Sequence, residues 1–434
     1  MANLSYTTPI GLTSQFLFCG LPLRLDSYRG CGFQCAFCFA RQRGGNTPEA
    51  VVVPARPESI RRTFERAFRS DEHSLGVVGQ FLRRRAPIHF GGMSDPFQPI
   101  ETRYRITQAT LGLLGEYDYP TVISTRGSLV ACAPYIDLLR NMKSVVVQFS
   151  MSSSRDEIAR VLEPRSTPPS EMLRCMEILA QHRIPVTCRW QPYVPGQSEG
   201  AAEFSKRVSS TGCSHVSFEH LKVPLERNAL LWREFVQEVG VDFYARYKAE
   251  GAARDGRELV LPPIRKLYAV METATEVRRY GMTFGAADNE FQHFSDTDCC
   301  CSGVDQFPGF ENYFKHQIGF AIRKCKGKTI TYASIRNEWA PRGSVDRFLN
   351  SKSRIAARNC NKATLTDHVK LKWNQQSTPG SPSSFFGVKL SGERHRGMVL
   401  YEWDAFAHDF FCSTSAGQPT IACQRESNAG CDLS

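Results

Sequence analysis

The sequence predicts an α/β fold: an open, partial (β/α)6 barrel followed by a mostly helical, Cys-containing and basic extension. Three observations carry this. Between Leu21 and Glu219, short apolar runs alternate with amphipathic stretches, which is the pattern of a parallel sheet with helical crossovers. Eight such steps close a full barrel in about 250 residues, whereas six fit into about 220 residues here and leave the barrel open. Beyond Pro224 the alternation stops.

Leu21–Ser27 reads as a first strand leading into a cysteine-rich loop. Pro57–Arg69 is helical, with Ile60, Phe64 and Phe68 at i, i+4 and i+8. Pro87–Phe90 is the second strand, and Gly91–Asp95 a turn. A helix at Thr107–Leu114, a strand at Thr121–Ser124 and a helix at Ala131–Asn141 follow. Val145–Ser150 is a continuous apolar run, as expected of a strand buried on both faces. Ser170–His182 is a helix, Pro185–Trp190 a strand and His215–Glu219 the last strand. Leu225–Tyr247 and Pro263–Tyr280 read as helices of the extension. The expected division is 1–224 for the barrel, 225–375 for the extension, and 376–434 for a loop and mobile tail, with Cys412–Ser434 poor in apolar residues.

The chemistry is concentrated in Tyr28–Arg41, YRGCGFQCAFCFAR, where Cys31, Cys35 and Cys38 stand in a C-x3-C-x2-C pattern. Three thiolates this close together can hold soft metal, and iron–sulfur clusters are bound through cysteine sulfur. A zinc knuckle would want a fourth Cys or His at short spacing, and the first histidine is His73. A three-ligand loop leaves one iron of a cluster open to a small molecule.

This spacing, with Phe37 before the last sulfur, resembles the cluster loop of the radical S-adenosylmethionine (SAM) superfamily. The resemblance implies a partial barrel and a 4Fe–4S cluster whose open iron chelates the amino and carboxylate groups of SAM. It also implies reductive cleavage of SAM to a 5′-deoxyadenosyl radical that abstracts hydrogen from a substrate, and a flavodoxin- or ferredoxin-type reductant. The run FGGMSDPFQPIE (Phe90–Glu101), with Glu163–Thr187 and Pro192–Gly196, is similar to spore photoproduct lyase and its DNA-repair-photolyase-like relatives. The likeness covers roughly Leu21–His220, half of the chain. One departure matters: where the lyase carries a hydrogen-donating cysteine, this sequence has Gly92. The likeness therefore supports the scaffold and the SAM chemistry and argues against dimer-splitting activity. Cys132 or Cys188 could supply a thiol from elsewhere, against the blander reading of buried inert cysteines.

Candidate SAM-binding residues lie at the strand ends. A Gly91–Gly92 pair lets backbone approach a ligand. Ser124 and Arg126 follow the third strand, and Gln148, Ser150 and Ser152 share one face of the fourth. Arg165 or Arg189 could pair with the SAM carboxylate. Each is equally readable as a structural hydrogen bond.

Asp296–Gly303, DTDCCCSG, is a second cysteine site. In an extended segment Cys299 and Cys301 face one way and Cys300 the other, so Cys213 or Cys325 would have to complete a metal set. An auxiliary iron–sulfur cluster, zinc with His293, or a redox-sensitive structural patch are the readings.

The chain of 434 residues carries a net charge of +11 and 41% hydrophobic residues. No window approaches the roughly 20 apolar residues of a membrane span, and the N-terminus does not read as a signal sequence. Sixteen cysteines in a chain this long point to a reducing cytoplasm rather than a disulfide scaffold. Residues 321–375 hold thirteen Lys or Arg against three acids, whereas 281–314 hold six acids and no Lys or Arg. That asymmetry suggests a polyanion-binding surface, with Tyr332, Trp339 and Trp373 available for base stacking; an ordinary solvated basic face is the alternative. Three functions stay open: a radical SAM enzyme acting on nucleic acid, a radical SAM protein or peptide maturase with an auxiliary cluster, and a non-enzymatic zinc-stabilised nucleic-acid-binding protein.

Overall fold

The structure is a computed structural model. It describes residues 5–404 except 14–16, 43–50, 227–228, 311–312, 316, 326–327, 333–334, 336–339, 342–363, 377 and 379. Its centre is one eight-stranded sheet. In chain order the strands are β1 (Ile10–Leu12), β2 (Leu23–Leu25), β3 (Ile88–Phe90), β4 (Thr121–Thr125), β5 (Val145–Met151), β6 (Val186–Tyr193), β7 (His215–His220) and β8 (Thr283–Ala286). Each pairs with the next in sequence, β1 antiparallel to β2 and the rest parallel.

Seven parallel strands joined by six helical crossovers make the partial barrel that the apolar alternation predicts. The helices form where the sequence gives them one apolar stripe. Pro57–Arg69 starts on a proline, whose missing N–H costs nothing in the first turn, and buries Ile60, Phe64 and Ala67. Ile106–Glu116, Ala133–Arg140, Pro169–Gln181 and Ala201–Ser209 make the next crossovers. β5 is buried at six of its seven positions, so it lies in the middle of the sheet.

Three differences from the sequence reading concern the second half. The extension beginning at 225 returns to the barrel: helix Pro263–Arg279 packs beside Ala201–Ser209, and β8 pairs with β7, Phe284 opposite Val216. Leu267, Phe284, Ile318 and Trp373 share one buried core with Leu23 and Ile88, so the core is continuous across 224. Leu225–Tyr247 is two helices, Leu230–Val239 and Phe243–Ala249. Gly240 ends the first at φ 70°, and the Asp242 carboxylate caps the second by accepting from the Tyr244 and Ala245 amides. Within 376–434, β9 (Val388–His395) and β10 (Met398–Trp403) form an antiparallel hairpin. The expected tail at 412–434 lies outside the described residues.

Candidate functional site

The loop bearing Cys31, Cys35 and Cys38 leaves the carboxyl end of β2, where parallel sheets place their chemistry. Gly30 (φ 89°) and Gln34 (φ 47°) turn its backbone. The run after β3 braces it residue by residue. Ser94 Oγ donates to the Tyr28 carbonyl. Gln98 accepts from the Gly32 amide at 2.8 Å and donates to the Gly30 carbonyl at 3.1 Å. Glu101 accepts from the Tyr28 hydroxyl, the Tyr135 hydroxyl (2.9 Å) and the Thr107 and Gln108 amides (3.0 Å each). Asp95 accepts from the Arg126 amide (2.6 Å), Thr125 Oγ1 (2.8 Å) and the Phe97 amide (2.8 Å). Asp26 accepts from the Met93 and Ser94 amides at 2.7 and 3.2 Å. Sequence reasoning singled out this run but not the roles of Asp26, Asp95, Gln98 and Glu101. For Asp95, Gln98 and Glu101 the signal was polar residues every third position in an otherwise apolar turn, whereas Asp26, just after β2, carried none.

Two further loops meet the same cysteines. Arg126, after β4, pairs with the buried Glu163, donates to the Gln191 carbonyl at 2.8 Å and lies 5.7 Å from the Phe37 ring centroid. Glu163, after β5, also accepts from the Ser152 amide (2.7 Å) and Ser152 Oγ (2.8 Å). Ser166 Oγ lies 3.9 Å from Cys35 Sγ, and Arg165 donates to Gln34. Burial pushes the Cys35 thiol up to about 12 against the pull of Arg126, and pushes Cys31 up as well. Both are therefore neutral thiols until a cation displaces their protons. Burial also raises Asp26 and Asp95 to about 6.

Among the described residues, no three or more His, Cys, Asp or Glu side chains converge on a point fit for a single metal ion. Iron–sulfur clusters are held by cysteine thiolates, and three thiols on one glycine-turned loop beside a guanidinium counter-charge suit a cluster that keeps one iron open.

The expected SAM residues divide. Gly91 is fixed by packing: φ is 92°, and a Cβ there would lie 2.5 Å from the Ser124 carbonyl. Gly92 sits against Arg24 and His89. Arg126 and Arg165 reach the cysteine loop, as above. Ser124, Gln148, Ser150 and Arg189 share the inner face of neighbouring strands. There Ser124 Oγ meets His89 Nε2 at 2.7 Å and donates to Gln148 Oε1 at 3.1 Å, while Arg189 donates to Glu219 at 3.3 Å. Buried Arg189 Nε, Thr187 Oγ1 and Ser217 Oγ have no protein partner, so the interior is polar beyond what its own side chains satisfy. Cys188 is buried within β6 and Cys132 is exposed at a helix start.

Cys299, Cys300 and Cys301 do not gather as one set. Cys299 packs with Leu21, Val122, Val146 and Phe314, while Cys300 Sγ faces Cys301 Sγ at 3.7 Å. Cys213 donates to the His215 carbonyl, and His293 Nε2 faces the Phe386 carbonyl at 3.0 Å.

Some of the opposite charges of the second half meet within the fold. Arg323 pairs with Asp298 and donates to the Ser295 and Thr297 carbonyls. Buried Lys266 bonds Asp288 at 3.0 Å and Glu290 at 2.6 Å, and Asp288 also holds His220 Nδ1 at 2.7 Å. Trp373 is fully buried with Nε1 on the Val399 carbonyl, and the Tyr332 ring packs edge-on against it, so neither is a free stacking surface. Trp339, Lys326, Arg354 and Arg358 lie outside the described residues.

The fold is a partial barrel that carries a three-cysteine loop at the carboxyl end of its first parallel strand. Residues 25–206 match the model of the Radical SAM superfamily. Uncharacterized proteins of Mycobacterium tuberculosis and Mycobacterium bovis are each 28% identical over 207 residues, 45% of this chain and 58% of theirs. The chain thus spans less than two thirds of those relatives. Among solved structures it is similar to spore photoproduct lyase complexed with dinucleoside spore photoproduct (TM-score 0.45, 16% identity, 62% of this chain and 77% of that one). It is also similar to Streptococcus suis SuiB bound to S-adenosylmethionine (TM-score 0.33, 16% identity, 54% and 50%). Among the described residues no helix is long and apolar enough to cross a membrane.

Proposed function

We propose that the chain is a radical SAM enzyme whose cluster is held by Cys31, Cys35 and Cys38. The observation that carries this is the convergence of the loops after β3, β4 and β5 on the cysteine loop after β2. When bound there, a 4Fe–4S cluster with SAM supplies one-electron reductive cleavage and a 5′-deoxyadenosyl radical, with a flavodoxin- or ferredoxin-type protein as reductant. The chain's own residues do the positioning. Arg126 provides counter-charge beside Cys35, Gln98 and Glu101 fix the loop, and the polar inner face with Arg189 receives the substrate. Anaerobic reconstitution with iron, sulfide, SAM and reductant tests the reading. Wild type should turn brown and release 5′-deoxyadenosine, and Cys31→Ser, Cys35→Ser and Cys38→Ser should not. Native-rate product from any of the three overturns it.

For the substrate class we propose nucleic acid, supported by the net charge of +11 and by exposed Lys324, Lys328 and Lys370. Arg323, although in the same basic segment, is not among them, because its guanidinium is bonded internally. Each phosphate contact adds about −0.7 to −0.9 to the slope of log affinity against log salt. Neutralising Lys324 and Lys328 together should flatten that slope by about 1.4 to 1.8, and an unchanged slope removes this substrate class.

A further inference from the structure

A single tight turn sets the direction of the tandem cysteines. The Gly303 amide donates to the Cys299 carbonyl at 3.0 Å, and Gly303 takes φ 59° against the His215 ring. In extended backbone consecutive side chains point to opposite faces. Closed into this turn, Cys300 and Cys301 bring their sulfurs to 3.7 Å from each other. The third thiol leaves the group: Cys299 Sγ faces Ser302 Oγ at 3.5 Å and packs with Leu21, Val122 and Val146.

Contacts from several elements hold the turn in this shape. The Asp305 carboxylate accepts from the Asp298 and Cys299 amides at 2.7 and 3.0 Å. His215 Nε2 lies 3.3 Å from the Cys300 carbonyl, and Gln148 Nε2 donates to the Cys301 carbonyl. A Cβ at Gly285 would overlap the Cys300 carbonyl, so glycine is what lets the turn approach β8. One of the two sulfurs is also anchored directly. Gln292 Nε2 donates to Cys300 Sγ at 3.3 Å and to the Phe18 carbonyl at 2.6 Å. Cys300 is buried and Cys301 partly exposed, so the pair offers one approachable sulfur with a second fixed behind it.

Two sulfurs already side by side on consecutive residues are a chelate for one soft centre. At bonds of about 2.3 Å, the length thiolates make to zinc, one centre spans sulfurs roughly 3.3 to 3.8 Å apart as its angle opens from a right angle to a tetrahedral one. The observed 3.7 Å lies within that span. We propose that Cys300 and Cys301 form a two-thiol site for a trivalent arsenical that keeps one organic group as its third substituent. Such a centre takes two ligands from the protein, which is what the turn presents. Binding is a substitution: the hydrated arsenical carries two hydroxyls, and Cys301 Sγ displaces the first and Cys300 Sγ the second. Two arsenic–oxygen bonds break and two arsenic–sulfur bonds form. Each thiol proton leaves with a hydroxyl as water, and the arsenic stays trivalent. The site is separate from the Cys31–Cys38 loop and does not depend on SAM chemistry.

The test uses the cluster-loaded full chain and phenylarsine oxide as the probe, with bound arsenic located by tryptic mapping. One phenylarsenic group should be retained on the peptide Tyr280–Lys315. It should shield Cys300 and Cys301 together from iodoacetamide, while Cys299 alkylates once the chain is unfolded. Excess mercaptoethanol should leave the arsenic in place, and dithiothreitol should remove it. Closing the second bond within the same chain strengthens binding by about 10²–10⁴. Cys300→Ser and Cys301→Ser should therefore each weaken retention against mercaptoethanol by about a hundredfold or more, and Cys299→Ser should retain the group. Arsenic bridging Cys299 and Cys301 overturns the proposal, as does equal loss in Cys299→Ser or a wild-type peptide that takes up none. The wild-type mapping decides the matter even where a variant fails to fold. Because the readout is arsenic on one peptide, it stands whether or not the chain releases 5′-deoxyadenosine.

Discussion

Replacing Glu101 with alanine tests the reading that the run after β3 exists to hold the cysteine loop. The side chain is 0% exposed, and four donors end on it: two phenols and two backbone amides. Hydrogen bonds to a charged group contribute about 1.5–3 kcal/mol each, and a buried donor left unpaired costs a similar amount. If water entering the vacated space restores roughly half of these bonds, Glu101→Ala loses about 4 kcal/mol. Glu101→Gln keeps one acceptor oxygen but turns an NH2 toward two donors, and should lose about 2 kcal/mol. Tyr135→Phe removes a single bond and should lose about 1 kcal/mol. Urea unfolding monitored by circular dichroism gives the order. Hydrogen exchange gives the location: a local loss of about 3 kcal/mol should speed exchange at the Thr107 and Gln108 amides by roughly two orders of magnitude. The reasoning fails if Glu101→Ala stays within about 1 kcal/mol of wild type, or if Tyr135→Phe costs as much.

Asp26 gives a pH signature. Its carboxyl is held at about 6 in the folded protein by burial, against about 3.9 in an unfolded chain. The folded state therefore binds the extra proton between those values, so the stability Asp26 adds is complete below about pH 4 and is lost as pH rises through about 6. Wild type should lose stability relative to Asp26→Asn over that window in urea midpoints, and a difference that is flat with pH contradicts the assignment. At the glycine pair, Gly91→Ala meets both a left-handed φ and the Ser124 carbonyl and should cost at least about 2 kcal/mol. Gly92→Ala, whose Cβ has 3.3 Å to Arg24 Cβ, should cost under about 1 kcal/mol by thermal melting; equal losses would refute the distinction.

The barrel was legible where strands are buried on both faces, because such strands are written as mostly apolar runs; VVVQFSM at β5, apolar but for Gln148 and Ser150, needs no partner to be recognised. β8 was not legible. TFGA is four residues long and contains a glycine demanded by the Cys300 backbone, a contact that no local pattern announces. The hairpin of β9 and β10 was missed because β9 is charged and exposed along most of its length, so its pleat carries no apolar alternation. The cysteine loop declared itself through spacing alone. The residues bracing it were visible as a run but not as roles, since hydrogen-bond partners 70 residues apart leave no mark on composition. The pairing of single charges was hidden for the same reason: the sequence shows Arg323 in a basic block and Asp298 in an acidic one, and only the fold shows these two cancelling.

The late arrival of β8 bears on how the chain is made. About sixty residues separate the end of β7 from β8, and the segment that packs on Val122 and Val146 from the amino-terminal end comes later still. During synthesis the first seven strands therefore emerge with the outer edge of β7 unpaired and the barrel's floor uncovered, both of which invite sticking to other chains. A fragment cut at the limit of the superfamily match, residue 206, would lack β7 as well. For this protein the smallest piece worth expressing extends past Phe314, and a ribosome pausing before that point holds an adhesive intermediate rather than a finished domain.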